Sequence, residues 1–256
     1  MADKSVRGRF LWYETLTNDI DGAIAFYTNV MGWGTQMWNG AGTPYRMWAV
    51  GDRTIGGMMK MPQDAPHPPH WMGHIGTPDV DATTARAEAL GARVWVKPTE
   101  IPTVGKFAVL ADPQGAEFSA FTPYSDAPAT GFSPHVGDIS WHELLTTDVD
   151  KSFAFYSDLF GWVKKESMDM GPAGIYQMFG TPADTLGGMF LKPKEVPGLA
   201  RFLFYARVGD LDAAIGKVKE HRGNVVMGPH EIPTGDRIAI IVDPQGASFA
   251  LHWKKE

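Results

Sequence analysis

Two glutamates stand in matching settings, Trp12-Tyr13-Glu14 and Trp141-His142-Glu143. A carboxylate on a strand among aromatic residues suits general acid–base work or the anchoring of a polar ligand group. The 256 residues also hold 8 His and 29 Asp plus Glu, ample donors for a metal site, and no cysteine, which excludes thiolate nucleophiles, Cys-ligated zinc and disulfides. Nine Trp and 13 Met provide soft, polarisable surface of the kind that holds a flat apolar ligand by stacking. The paired glycines Gly56-Gly57 and Gly187-Gly188 are not followed at once by a helix, so they read as strand bulges or close-approach points and not as phosphate loops. His67-Pro68-Pro69-His70 has few carboxylates nearby and reads as a linker. A net charge of −6 with 44% hydrophobic and 20% charged residues is that of a globular chain with no basic footprint for nucleic acid. No segment is apolar over the roughly 18 residues needed to cross a bilayer, and the polar opening Met1–Arg7 lacks a signal-peptide core. The expected location is cytoplasmic, with no membrane partner.

The elements that position these residues come from duplication. Residues 10–33 realign on 139–162, with Trp12, Glu14, Asp19, Phe26, Tyr27 and Trp33 meeting Trp141, Glu143, Asp148, Phe155, Tyr156 and Trp162. Asp112-Pro113-Gln114-Gly115 likewise meets Asp243-Pro244-Gln245-Gly246. Within each half an Asp-x-Asp opens a helical stretch at Asp19, Asp79, Asp148 and Asp210, and a glycine closes it at Gly32, Gly91, Gly161 and Gly223. Asp caps the free amides of a first turn, and glycine takes the left-handed conformation at the other end. A strand precedes each helix and strand-like runs follow, such as Arg46–Val50, Ile55–Met59, Phe107–Leu110 and Phe249–Trp253. The unit is a βαβββ module present four times, at 8–62, 70–122, 137–193 and 200–253. The first two form a domain over 1–123 and the last two a domain over 137–256, with a Pro-rich linker at 124–136. Trp33 and Trp162, at helix ends, are core. The turns Pro102–Gly105 and Pro233–Gly235 read as simple hairpins, and Gly40-Ala41-Gly42 and Met168–Gly174 as rims.

Phe26-Tyr27…Met31-Gly32-Trp33 and Phe155-Tyr156…Phe160-Gly161-Trp162, with each half closing on Asp-Pro-Gln-Gly, resemble the vicinal oxygen chelate superfamily of glyoxalases, bleomycin-resistance proteins and extradiol dioxygenases. The resemblance covers nearly the whole chain. It implies an α+β fold in which each domain is a curved mixed sheet around a cavity with flanking helices. It also implies where a metal would be held: by His or Gln seven residues before each helix-opening Asp, and by a carboxylate on the last strand of each module. Those counts fall on Trp12, Met72, Trp141 and Leu203, and on Ser119 and Ala250; the strands around Thr54–Lys60 and Thr185–Lys192 contain no Asp or Glu. None is a good ligand, so no metal and no cofactor are expected.

Strand alternation puts residue i+2 on the face of residue i. Glu14 then accompanies Trp12, Glu143 accompanies Trp141, His74 accompanies Met72, Phe121 accompanies Ser119, Tyr205 accompanies Leu203 and His252 accompanies Ala250. Each cavity is expected to hold one Glu and one His, Glu14 with His74 and Glu143 with His252, as a metal-free acid–base pair or polar anchor. A shifted metal set built on Glu14 and His74 is the competing arrangement. The expected lining is Trp12, Trp48, Met58, Trp71, Met72, Ser119 and Phe121 in the first cavity, with Trp38 and Met59 on or near its strands, and Trp141, Met189, Leu203, Tyr205 and Ala250 in the second. His142 is expected to face the helices as packing. These residues point to a binder of a small apolar or aromatic ligand, monomeric or homodimeric. The alternative is an enzyme of the same superfamily, a glyoxalase-type lyase or isomerase or a hydroxylase/dioxygenase-like protein, using Glu14 and Glu143. A structural role with vestigial cavities is a third reading.

Overall fold

The computed structural model describes residues 6–40, 44–62, 67–125, 135–193 and 198–255. Residues 126–134 of the expected linker, 41–43 of the expected rim, and the stretches 63–66 and 194–197 between modules lie outside the described residues. The βαβββ module occurs four times. The first is β1 (Phe10–Thr17), α1 (Ile20–Met31), β2 (Gly34–Trp38), β3 (Tyr45–Val50) and β4 (Arg53–Lys60). The second is β5 (His70–Gly76), α2 (Val80–Ala89), β6 (Arg93–Ile101), β7 (Gly105–Ala111) and β8 (Glu117–Pro123). The third is β9 (Ile139–Thr146), α3 (Val149–Phe160), β10 (Val163–Asp169), β11 (Ile175–Gly180) and β12 (Thr185–Leu191). The fourth is β13 (Arg201–Arg207), α4 (Leu211–Glu220), β14 (Asn224–Glu231), β15 (Arg237–Val242) and β16 (Ser248–Trp253). Two eight-stranded mixed sheets result, ordered β2-β3-β4-β1-β5-β8-β7-β6 and β10-β11-β12-β9-β13-β16-β15-β14. The fold is α+β.

All four helices start as their sequence dictates. The carboxylates of Asp19, Asp79, Asp148 and Asp210 accept from the backbone N–H of Gly22, Ala82, Lys151 and Ala213 at 2.9–3.0 Å. Helices α1 and α3 end on left-handed Gly32 and Gly161, at φ 71° and 69°. The close of α4 differs from the expectation. It ends at His221, and Arg222, not Gly223, takes the left-handed φ of 65°. Gly223 serves packing, because a Cβ there would meet the Phe26 ring of α1 at 2.7 Å.

By density of contacts the chain forms two compact units that do not follow its two halves. The first comprises 1–12, 72–131 and 142–202, and the second 13–71, 132–141 and 203–256. Each therefore takes one module from each half, and the repeated motif residues show why. In the first unit the Asp112 carboxylate accepts from Gln114 N, Ala116 N and the Tyr156 hydroxyl at 2.8–3.1 Å. Gln114 then clasps the start of α3, donating to Asp148 O and Ser152 Oγ and accepting from Thr146 Oγ1 and Thr147 N. In the second unit Asp243 accepts from Gln245 N, Ala247 N and the Tyr27 hydroxyl. Gln245 clasps the start of α1 through Asp19 N, Asp19 O and Thr17 Oγ1. Trp33 and Trp162 are almost wholly buried, as expected, with indole N–H groups donating to Gly137 O and Gly8 O at 2.7 and 2.8 Å. Tyr27 stacks on Trp33, and Tyr156 on Trp162.

Candidate functional site

In the second unit β1 pairs in parallel with β4, placing Glu14 beside Gly57 and Thr15 beside Met58, and β3 pairs antiparallel with β4, placing Met47 beside Gly57. Residues in register share a face, so Glu14, Met47 and Gly57, with Tyr45 and Met59 two residues on, look one way. Glu14 is 4% exposed, and the Tyr45 hydroxyl stands 3.0 and 2.9 Å from its two oxygens. One O–H donates to this carboxylate, shared between both oxygens. Gly57 makes the contact possible, since a Cβ there would occupy the space of the Tyr45 hydroxyl and ring. Trp38 stands edge-on to Tyr45 at 6.5 Å, and Met59 is half exposed at the open end. The result is a buried carboxylate held by a phenol, with indole and thioether groups on the same side.

The first unit repeats the arrangement. Glu143 lies beside Gly188, and Met178 flanks Gly188 from the other strand. A Cβ on Gly188 would strike the Tyr176 ring, which also packs against Phe190 at 6.0 Å. Glu143 is half-buried, more open than Glu14. His142 takes the opposite face: its ring stacks on Phe10 at 3.9 Å and its Nδ1–H donates to Leu186 O at 2.6 Å. Burial lowers the His142 pKa to about 4, against the smaller opposing effect of that backbone hydrogen bond.

Four expected lining residues lie instead on the helix side. Trp48 is fully buried, its indole donating to Thr15 Oγ1 at 2.8 Å, on the face away from Glu14. Met58 is in register with Thr15, and Met189 with Leu144, so both also turn from the glutamates. Trp71 donates to the Tyr27 hydroxyl at 2.8 Å and packs on Phe249 at 5.0 Å. Trp48, Met58 and Met189 are core because the registers of β3 and β4 with β1, and of β12 with β9, give them the parity of the aromatic layer beneath the helices, and Trp71 is core because it alternates with Met72 along β5. Tyr45, Tyr176, Met59 and Phe190 hold the glutamate faces. Tyr45 and Tyr176 have a legible signal: they coincide at the same offset, 131, that aligns the paired glycines.

The remaining expected residues divide between the units, Glu14 and His252 in the second and His74 and Glu143 in the first, so neither expected pair, Glu14 with His74 or Glu143 with His252, falls within one unit. In the first unit His74 is in register with Ser119, so Met72, His74, Ser119 and Phe121 share a face, with His74 edge-on to Phe121 at 6.2 Å. Trp12, at the end of this unit's first segment, is half-buried. In the second unit Leu203, Tyr205 and Ala250 form one buried apolar cluster, against which Trp141, Ile238 and Ile240 pack. Trp141, Leu203 and Ala250 are three of the positions at which the superfamily resemblance would put metal ligands. They offer an indole and hydrocarbon in mutual contact, so these residues do not fit a divalent ion. Among the described residues no group of three or more His, Asp or Glu converges to hold a metal.

His252 adjoins that cluster. Its Nδ1 is 2.8 Å from Ser140 Oγ and its Nε2 is 3.1 Å from Asp236 Oδ2; burial lowers its pKa, with Asp236 opposing. Ser140 Oγ also donates to Tyr205 O at 3.2 Å. The turn read as a plain hairpin therefore supplies Asp236 as a partner for His252, and no spacing in the sequence announces it.

Residues 135–251 match the family described as Glyoxalase/Bleomycin resistance protein/Dioxygenase superfamily, and residues 14–121 match the Glyoxalase-like domain. A glyoxylase-like domain-containing protein from Didymella fabae is 37% identical over 106 residues, covering 38% of this chain and 81% of that one. The putative glyoxylase CFP32 of Mycobacterium tuberculosis is 44% identical over 117 residues, 45% of this chain; the match spans only 44% of that relative's length. The anthracycline biosynthesis protein DnrV of Streptomyces peucetius is 27% identical over 259 residues, covering 94% of this chain and 91% of that one. Among solved structures, the 2,3-dioxygenase LapB from Pseudomonas sp. KL28 superposes with a TM-score of 0.65 at 12% identity, covering 98% of this chain and 94% of that one, a likeness of fold.

Proposed function

Because the chain belongs to the glyoxalase/bleomycin resistance protein/dioxygenase superfamily, we propose that it is a small-molecule-binding protein of that class, taking a flat apolar or aromatic ligand without a bound metal. The observation that carries the reading is the apolar cluster of Trp141, Leu203, Tyr205 and Ala250, in which Trp141, Leu203 and Ala250 stand at positions the superfamily resemblance assigns to metal ligands. The half-buried Trp141 indole at the edge of this cluster offers a ring for desolvation and stacking. The Glu14 carboxylate supplies an acceptor, so the ligand should carry a hydroxyl or N–H donor as well as a ring. The similarity to DnrV, named for anthracycline biosynthesis, supports a polycyclic aromatic with phenolic groups.

The Glu14–Tyr45 pair also supports a second reading, an enzyme of the same superfamily. There Glu14 takes a proton from the ligand and the Tyr45 hydroxyl, already at both oxygens, steadies the carboxylate. The test is fluorescence titration of the purified protein with an anthracycline, in chelator and again after addition of Ni²⁺, Zn²⁺, Fe²⁺ or Mn²⁺, with metal content measured in parallel. Saturable binding in chelator supports the reading. Tight stoichiometric metal that is required for binding sinks it. Mass spectrometry of the recovered anthracycline separates binding from turnover.

A further inference from the structure

We propose that the second unit carries a further site, a pocket for a small aromatic anion at the C-terminal ends of β13 and β16. A cavity of about 480 Å³ opens there, with Val136, Arg207, Gly209, Trp253, Lys254 and Lys255 in its lining. None of these belongs to the Glu14–Tyr45 face. Among the described residues, three cationic side chains and no carboxylate line the cavity, in a chain whose net charge is −6. A local excess of one sign at a concave wall concentrates ions of the other.

The fold builds this excess. Strands β13 and β16 run parallel with Arg207 in register with His252, and Val208 N donates to His252 O at 2.9 Å. The two strand ends are thereby fixed side by side. Asp236 Oδ1 accepts from Lys255 N at 3.0 Å, which ties down the segment leaving β16. Gly235, lacking a Cβ, leaves room for the Lys255 stem, whose Cδ lies 2.9 Å from where a Cβ would stand. Among the described residues neither Lys254 nor Lys255 places its ammonium in an ion pair. The Asp236 carboxylate, which holds this segment, already serves His252 Nε2 and Lys255 N. Arg207 and Lys254 each disfavour a charge on His252, so both strand ends crowd positive charge around that ring. An incoming carboxylate or phosphate relieves that crowding through charge-assisted hydrogen bonds, and the Trp253 ring offers a stacking surface to an attached aromatic group.

The test is calorimetry at low salt with three probes, benzoate, phenyl phosphate and benzyl alcohol. Both anions, or one of them, should bind at least tenfold tighter than the alcohol. Lys254→Gln/Lys255→Gln should weaken anion binding at least fivefold with an unchanged melting temperature, both side chains being exposed. The ratio of benzoate to phenyl phosphate assigns the anion as carboxylate or phosphate. Glu14→Gln should leave anion binding unaltered, so the pocket and the glutamate face stand or fall separately. No measurable anion binding, equal binding of the alcohol, or full affinity in the lysine variant overturns the proposal.

Discussion

His142 gives the fold a pH dependence whose size follows from its surroundings. The ring is 4% exposed, stacked on Phe10, and commits its Nδ1–H to Leu186 O. Its pKa falls from 6.5 to about 4 on folding because the buried site disfavours the imidazolium. Between those values the unfolded chain binds the proton and the folded chain does not, so stability is full above pH 6.5 and is lost as pH falls toward 4. At about 1.4 kcal/mol per unit, the loss at pH 4 is about 3 kcal/mol, and near pH 5.5 about half of that. His142→Phe keeps a ring against Phe10 and removes the titration. It also leaves Leu186 O without its donor, at a cost of about 1–3 kcal/mol that does not vary with pH. Urea unfolding of both proteins across pH 4–7.5 should show the wild type more stable at neutral pH, with the gap closing or reversing at pH 4. Groups such as His252, Asp112 and Asp243 titrate in both proteins and cancel in the difference. Parallel stability curves would refute the reasoning, because a histidine that charges freely in the folded protein loses nothing with falling pH.

Two further substitutions probe what the repeated motifs do. Gln245→Ala removes the side chain that satisfies Asp19 N and Thr17 Oγ1 at the start of α1, and should cost about 1–2 kcal/mol in thermal or urea unfolding; Gln114→Ala should cost a similar amount at α3. Retention of full stability in both variants would mean that these turns do not hold the helix starts. Arg222→Gly relieves a left-handed residue at the end of α4 and should raise stability by up to about 1 kcal/mol, read as an upward shift in melting temperature.

The fold was legible because it rests on local signals repeated four times. Each Asp that opens a helix in the sequence caps one in the structure, and the βαβββ order follows from what lies between the caps. That Leu203 and Tyr205 share a face was legible from alternation along β13, and the superfamily resemblance added Trp141 of β9 and Ala250 of β16 to them. The parity of Trp48, Met58 and Met189 relative to the glutamates was not. It depends on the register between strands, which no single strand encodes and which the close approach of Gly56 to Tyr13 O and of Gly187 to His142 O fixes in space. Trp71 is different: it precedes Met72 and must face away from it, so alternation alone places it with the core. Asp236 reaches His252 from a turn 16 residues earlier in the chain, a contact made by the β15–β16 pairing. The role of Asp-Pro-Gln-Gly was likewise hidden, because each turn clasps a helix of the other half of the chain, far away in sequence.

The proposed binding of a donor-bearing aromatic ligand at the glutamate faces, without metal, turns on Glu14 and Glu143. Its most direct test is the affinity of an anthracycline, in chelator, for the wild type and for Glu14→Gln, Glu143→Gln and the double variant, with folding checked by circular dichroism. Glutamine still accepts through its amide oxygen but without the charge, a difference of about 1–1.5 kcal/mol, so each substitution should weaken its own face by about 5- to 10-fold, and the double variant should be weakened at both. Wild-type affinity in the folded double variant, or binding that appears only when metal is supplied, would contradict the account.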